Sequence, residues 1–344
     1  ASSASDIIMA SPLKLTKAAR IQNVDISGDI EVALDMNLAL YRGGPREVLG
    51  QALFRGNRIA ARQHNIVLEN VFGNVSFTRG DWYGEGLTAE FDGSAVGLVV
   101  NGGLDDPNYD SEFRMTGTSD AAELIKYLKR YASPLYAWLE SKGRIGSLNG
   151  ALPWKAVLTI PTPSDEGSTL PRRLTLESSL LGLDVDLPWP FGKHSAESKP
   201  LRIETVLKDR IALATRIDFG DTMDVEIISR PGENGKGVVE RIEVLFGSIP
   251  FEFKHAPGIT MRGYIPQLSL TEWADYLHGD QNARAGEFAS MPTNFDIQVK
   301  QLHMFGRKIE DVRLLGSKEP EYWNVQVSGV DASGRIAIPR DITK

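Results

Sequence analysis

Leu181-Gly182-Leu183-Asp184-Val185-Asp186-Leu187 decides how this chain is read. Apolar residues fall at every second position, and small or acidic residues fill the gaps. A period of two places successive side chains on opposite faces of an extended backbone, so the stretch predicts a strand with one apolar face. The same alternation appears in Val75 and Phe77; Leu87, Ala89 and Phe91; Leu174 and Leu176; and Val225 and Ile227. It continues in Phe295, Ile297 and Val299; Val325 and Val327; and Ile336 and Ile338. Asp92-Gly93, Asn101-Gly102-Gly103, Asn149-Gly150, Pro231-Gly232 and Ser333-Gly334 punctuate the runs with turn residues. The pattern predicts a mainly β protein built as a long antiparallel meander.

Two helical stretches interrupt the strands, the first over about 120–142. Asp120 and Glu123 have capping-box spacing, and Leu124, Ile125, Leu128 and Tyr131 share one helical face. Pro134 predicts a break there, followed by a short helix capped by Ser133 and closed by Gly143. The second stretch is predicted over 271–277, with Thr271 as N-cap and Trp273, Tyr276 and Leu277 on one side. Residues 278–292 read as loop. The expected organisation is three segments: 1–150 and 151–280, each strand-rich and closed by a helix, then 281–344, a linker with C-terminal strands.

The chain has 344 residues, 42% of them apolar and 24% charged, as in ordinary folded proteins. The net charge of -7 is spread along the chain, with no basic track for nucleic acid. The absence of cysteine excludes disulfides, thiolate metal sites and a thiol nucleophile. The Ser-rich start and the IPRDITK end read as the limits of a piece cut from a longer protein.

The chemical motifs fail on context. Gly84, Gly86 and Ala89 have dinucleotide-fingerprint spacing, but a strand-like run follows where a helix is required, so a glycine-bearing turn is expected. Asp106, Asn108, Asp110 and Glu112 lack the central Gly and terminal Glu of a calcium loop and read as a hairpin tip. Gly232 to Gly237 lacks Walker spacing, and Arg79-Gly80-Asp81 reads as a turn. The five histidines form no HxH or HxxxH pair. No enzyme, cofactor or metal is expected.

Ser178 to Lys193, SSLLGLDVDLPWPFGK, resembles the "S-x-L-x-G-L-x-(I/V)-x-L-P-x-P-x-G-K" signature of the YhdP family, AsmA-like envelope proteins of Gram-negative bacteria. Trp189 departs from the pattern, where a small residue is expected. GALPWKAVLTIP (150–161), GYIPQLSLTEW (263–273) and the run from Phe295 to Pro339 are similar to other segments of that family. The resemblance implies a long twisted sheet curled into an elongated apolar groove, braced by short amphipathic helices. It implies phospholipid transport across the periplasm between the inner and outer membranes, in support of the outer-membrane permeability barrier. It also implies an inner-membrane anchor, expected outside this chain. On that reading the groove is lined by Phe77, Leu87, Phe91, Leu174, Leu176, Leu181, Leu183, Val185, Leu187, Phe295, Ile297, Val299, Val325 and Val327. Each methylene exposed to water costs about 0.8 kcal/mol, so a two-chain lipid needs continuous cover. Alternation alone equally admits a closed β-sandwich acting as a non-catalytic structural or interaction module.

Overall fold

The computed structural model describes residues 24–38, 41, 46–61, 66–78, 80–106, 108–131, 145–162, 170–208, 211–232, 237–247, 257–277, 291–304, 306–330 and 333–339. The chain forms two compact units that interleave along the sequence. The first comprises Ala1–Thr118, Trp154–Leu176 and Val206–Arg210; the second comprises Ser119–Pro153, Glu177–Thr205 and Ile211–Lys344.

The first unit opens with β1 (Val24–Ser27), β2 (Ile30–Leu38), β3 (Arg46–Ala61), β4 (Ile66–Phe77), β5 (Trp82–Phe91), β6 (Ser94–Gly102) and β7 (Tyr109–Asp120). From β2 to β7 each strand pairs antiparallel with the next, as the alternation predicts. The long strand β3 pairs with β2 along its first part and with β1 along its last. Its register shifts on either side of Asn57, a side chain only 1% exposed. Asn57 Oδ1 accepts from the Arg55 amide at 2.8 Å, and Nδ2 donates to the Asp29 carbonyl at 3.0 Å. This buried amide therefore joins the bulge of β3 to the turn between β1 and β2.

Helix α1 (Ala121–Tyr131) follows, then β8 (Leu148–Pro161), β9 (Arg172–Ser178), β10 (Leu183–Val185), β11 (Leu201–Lys208) and β12 (Ile211–Phe219). The capping box forms as predicted: Glu123 N donates to Asp120 Oδ1 at 2.9 Å, and Asp120 N donates to Glu123 Oε2 at 3.2 Å. Leu124 of α1 packs on a small core of Leu152, Leu180, Leu183 and Phe219. The helix expected from Ser133 to Gly143 lies outside the described residues.

The second unit continues with β13 (Met223–Pro231), β14 (Gly237–Phe246), β15 (Gly258–Ser269), helix α2 (Leu270–Leu277), β16 (Thr293–Met304), β17 (Arg307–Lys318), β18 (Tyr322–Ser328) and β19 (Ser333–Pro339). Here the predicted meander is corrected at two places. β14 with β15, and β15 with β16, are parallel. Parallel neighbours need a long crossover, and α2 lies in the one that joins β15 to β16. Alternation reports faces and carries no record of strand direction. The cap of α2 is also corrected: Ser269 Oγ accepts from Glu272 N at 3.2 Å, two residues before the expected Thr271.

Asn57→Ala removes an amide that serves the Arg55 amide and the Asp29 and Ser27 carbonyls in a buried bulge. It is expected to lower stability by about 1–3 kcal/mol in urea unfolding. An unchanged midpoint would show that the bulge holds without it.

Candidate functional site

Register turns the alternation of the second unit into rows. Ile217, Val225, Val244, Met261, Phe295, Gly316, Val325 and Ile336 are successive partners from β12 to β19. Phe219, Met223, Phe246, Gly263, Ile297, Leu314, Val327 and Gly334 form a second row beside them. Directly paired residues point to the same side of a sheet, so both rows lie on one face. Ile297, Val299, Val312, Leu314 and Val327 are buried in its core, and Phe295, Val325 and Met261 are half-buried around them. Ile336, at 41% exposure, opens the end of its row to solvent.

The opposite face is ionic. Arg216, Glu226 and Glu243 are successive partners, as are Asp218 and Asp224. Arg262 pairs with Glu243 at 2.8 Å, Arg241 with Glu226 at 2.5 Å, and Arg313 grips Asp296 through two 2.8 Å bonds. Arg202, Glu204, Arg216, Asp218 and Asp224 line a polar depression of about 250 Å³. Burial, and then the charge of Asp218, raise the Asp224 carboxyl above its ordinary pKa, while Arg216 opposes the shift.

The first unit has its own apolar face. Leu34, Gly50, Phe77, Trp82 and Gly102 are successive partners from β2 to β6. Leu87, Ala89 and Phe91 of β5 are buried beside Val71, Val96 and Leu98. On β2 the face opens: Val32, Leu34 and Met36 are each about half exposed.

The segment predicted as one strand from Leu181 to Leu187 is corrected. Leu180 takes a positive φ of 51°, and its carbonyl accepts from Leu183 N at 3.2 Å across a turn. Leu180 is therefore buried, Leu181 is 48% exposed, and β10 spans only Leu183–Val185. Lys193 is itself buried, with Nζ donating to the carbonyls of Leu180 (2.9 Å), Leu183 (2.5 Å) and His194 (2.8 Å). Lys199 donates to the Pro190 carbonyl at 2.9 Å and stands 4.2 Å from the Phe219 ring centre. Burial lowers the pKa of both lysines. The Trp189–Pro190 peptide is cis, and the Trp189 carbonyl accepts from the Trp273 indole of α2 at 3.0 Å. Trp189 thereby rests on the apolar core of the second unit.

The YhdP protein family matches residues 1–343, nearly the whole chain. The chain belongs to the YhdP family. It is 21% identical over 336 residues to the intermembrane phospholipid transporter YhdP of Escherichia coli (strain K12). That match takes in 95% of this chain but only 24% of the relative, so the chain spans about a quarter of that protein's length. No solved structure matches.

In this YhdP-family chain the expected lining residues fall into distinct settings. Phe77, Leu87 and Phe91 lie on the apolar face of the first unit; Phe295, Ile297, Val299, Val325 and Val327 lie on that of the second. Leu183 and Val185 belong to the small core beside α1, Leu187 is half-buried after β10, and Leu181 points to solvent. Leu174 is exposed and Leu176 half-buried on β9. Gly84 and Gly86 sit within β5 at a register shift, so the expected turn is a bulge and no helix follows it. The Asp106 carboxylate accepts from the amides of Asn108 and Tyr109, a local turn. Among the described residues no group of three or more His, Asp or Glu side chains is placed to hold a metal, and no helix is long and apolar enough to cross a membrane.

Lys193→Met strands the buried carbonyls of Leu180 and Leu183 and the part-buried one of His194, and is expected to destabilise the chain by about 2–4 kcal/mol in denaturant unfolding. A loss below the error of the measurement would refute the clamp. Asp224 gives a pH signature. Its folded pKa is raised, so between its unfolded and folded pKa values the native state holds the extra proton. Its contribution to stability therefore falls as pH rises through that window. Asp224→Asn is expected to flatten this part of the stability–pH profile and raise stability at neutral pH. An unaltered profile would count against the assignment.

Proposed function

We propose that this chain is a lipid-carrying segment of a longer, non-catalytic envelope protein. Its apolar sheet faces shield phospholipid acyl chains on their way across the periplasm between the inner and outer membranes, and so support the outer-membrane barrier. The parent is anchored in the inner membrane by a segment outside this chain. The observation that carries the reading is the pair of in-register apolar rows across β12 to β19, with the Glu226–Arg241, Glu243–Arg262 and Asp296–Arg313 pairs on the opposite face. Eight strands at roughly 4.8 Å give a row of about 34 Å. One acyl chain spans about half of a hydrocarbon core roughly 30 Å thick, so a row offers cover along a whole chain. The name of the Escherichia coli relative supports the substrate class. Shielding at about 0.8 kcal/mol per methylene requires no reactive side chain.

A second reading, a self-covered β module, is favoured by the near-complete burial of Val299, Leu302 and Val312 without any lipid. A photoreactive benzophenone residue at Val325 or at its neighbour Gln326 separates the two. With phosphatidylethanolamine–phosphatidylglycerol vesicles, the lipid reading expects lipid adducts at position 325 and none at 326. Adducts at neither position favour the self-covered module, and equal adducts at both indicate adsorption without a lipid path.

A further inference from the structure

On the apolar faces, four aromatic rings lie flat on glycines. Phe77 covers Gly50, Trp82 covers Gly102, Trp154 covers Gly117 and Phe295 covers Gly316. In each pair a Cβ on the glycine would come less than 3.0 Å from a ring atom. Three pairs are also direct register partners: Gly50 with Phe77, Trp82 with Gly102, and Phe295 with Gly316. The arrangement recurs in both units. All four rings are half-buried, whereas Val299 and Val312 beside Phe295 are fully buried. The rings thus remain partly accessible on the apolar faces where those valines are not.

A side chain standing perpendicular to a sheet fills about half of the roughly 10 Å between packed sheets. A ring lying on glycine adds only about 3.5–4 Å, one carbon contact distance. Glycine also weakens a strand, and a cross-strand aromatic restores the lost packing. We propose that these pairs set the relief of the acyl-chain path, and that Gly316 with Phe295 is a positioning pair that fixes how bulky a chain the second unit accepts. This rests on the lipid-carrying reading. The Phe295 ring has Trp323 beside it, 6.3 Å between centres, so a Cβ on Gly316 drives the ring up from the sheet. The ring then narrows the path, and deleting it widens the path.

The test measures uptake by the purified chain of two phosphatidylethanolamines from vesicles, one with branched phytanoyl chains and one with straight palmitoleoyl chains. The readout is the ratio of branched to straight uptake, which a loss of stability alone would not shift. Gly316→Ala is expected to lower the ratio about tenfold, Phe295→Ala to raise it several-fold, and the double variant to return to the Phe295→Ala value. If Gly316→Ala fails to fold, Phe295→Ala alone still tests the claim. An unchanged ratio in folded variants overturns the proposal while leaving the lipid-carrying reading intact. Wild-type chain that takes up neither lipid overturns both.

Discussion

Strand pairing in register is the constraint on which the rest of the second unit depends. A period-two sequence decides only which side of its own strand is apolar. Hydrogen-bonded pairing aligns that side with the next strand's, and so on from β12 to β19. A one-residue slip of β16 against β15 would set Phe295 opposite Thr260 or Arg262, on the face of the Glu243–Arg262 pair. Charges on one face and hydrocarbon on the other therefore hold the register as much as they express it. An isolated buried ion pair adds little net stability, because desolvation offsets its attraction, but misplacing one charge is heavily penalised. Glu243 and Arg262 serve this fold more by excluding wrong registers than by adding binding energy.

This constraint also explains what was legible in the sequence. Faces were readable where strands are long: Leu87 and Phe91 on β5, and Ile297 and Val299 on β16, fall on the apolar faces that alternation assigns. Asp120 and Glu123 were readable because a capping box is local. Strand direction at β15 was not, because parallel and antiparallel neighbours alternate alike. Leu181 misled for a different reason. The turn carries positive φ at Leu180 (51°) and at Gly182 (95°), and alternation counted across Gly182 assigns the wrong leucine to the core. The flat aromatics were invisible for a third reason. Gly50, Gly102 and Gly316 look like breaks in strand patterns until pairing sets each beside its ring.

The family signature is best understood as a joint. Its prolines and glycines looked like a strand end with a tight turn, and that is their local role. The larger effect comes from two lysines. Lys193 ties the Leu180 and Leu183 carbonyls of the turn to the His194 carbonyl, and Lys199 ties the Trp189–Pro190 corner to Phe219. The corner then offers the Trp189 carbonyl to the Trp273 indole, fixing where α2 starts to leave the sheet. The buried Lys193 and the half-buried Lys199 add to the small core that Leu183 of β10 shares with Leu152, Leu180 and Phe219. The same corner sets Trp189 onto the apolar core, so its local geometry reaches the face proposed to carry lipid.

The proposed transport, without a reactive site, would place a limit on that face. A lipid moves on only if no position along the path holds it much better than the next, since each 1.4 kcal/mol of extra affinity slows departure about tenfold. Two or three methylenes of uneven cover are enough to reach that limit at about 0.8 kcal/mol each. A deep pocket would therefore arrest a lipid. A shallow face of nearly constant height would pass it along. Rows of Val, Ile, Met and flat Phe approach such a surface, because β-branched side chains and a ring on glycine rise to similar heights above the backbone. On this argument the glycines belong to the path as much as the apolar residues do, since they keep the largest side chains from becoming barriers.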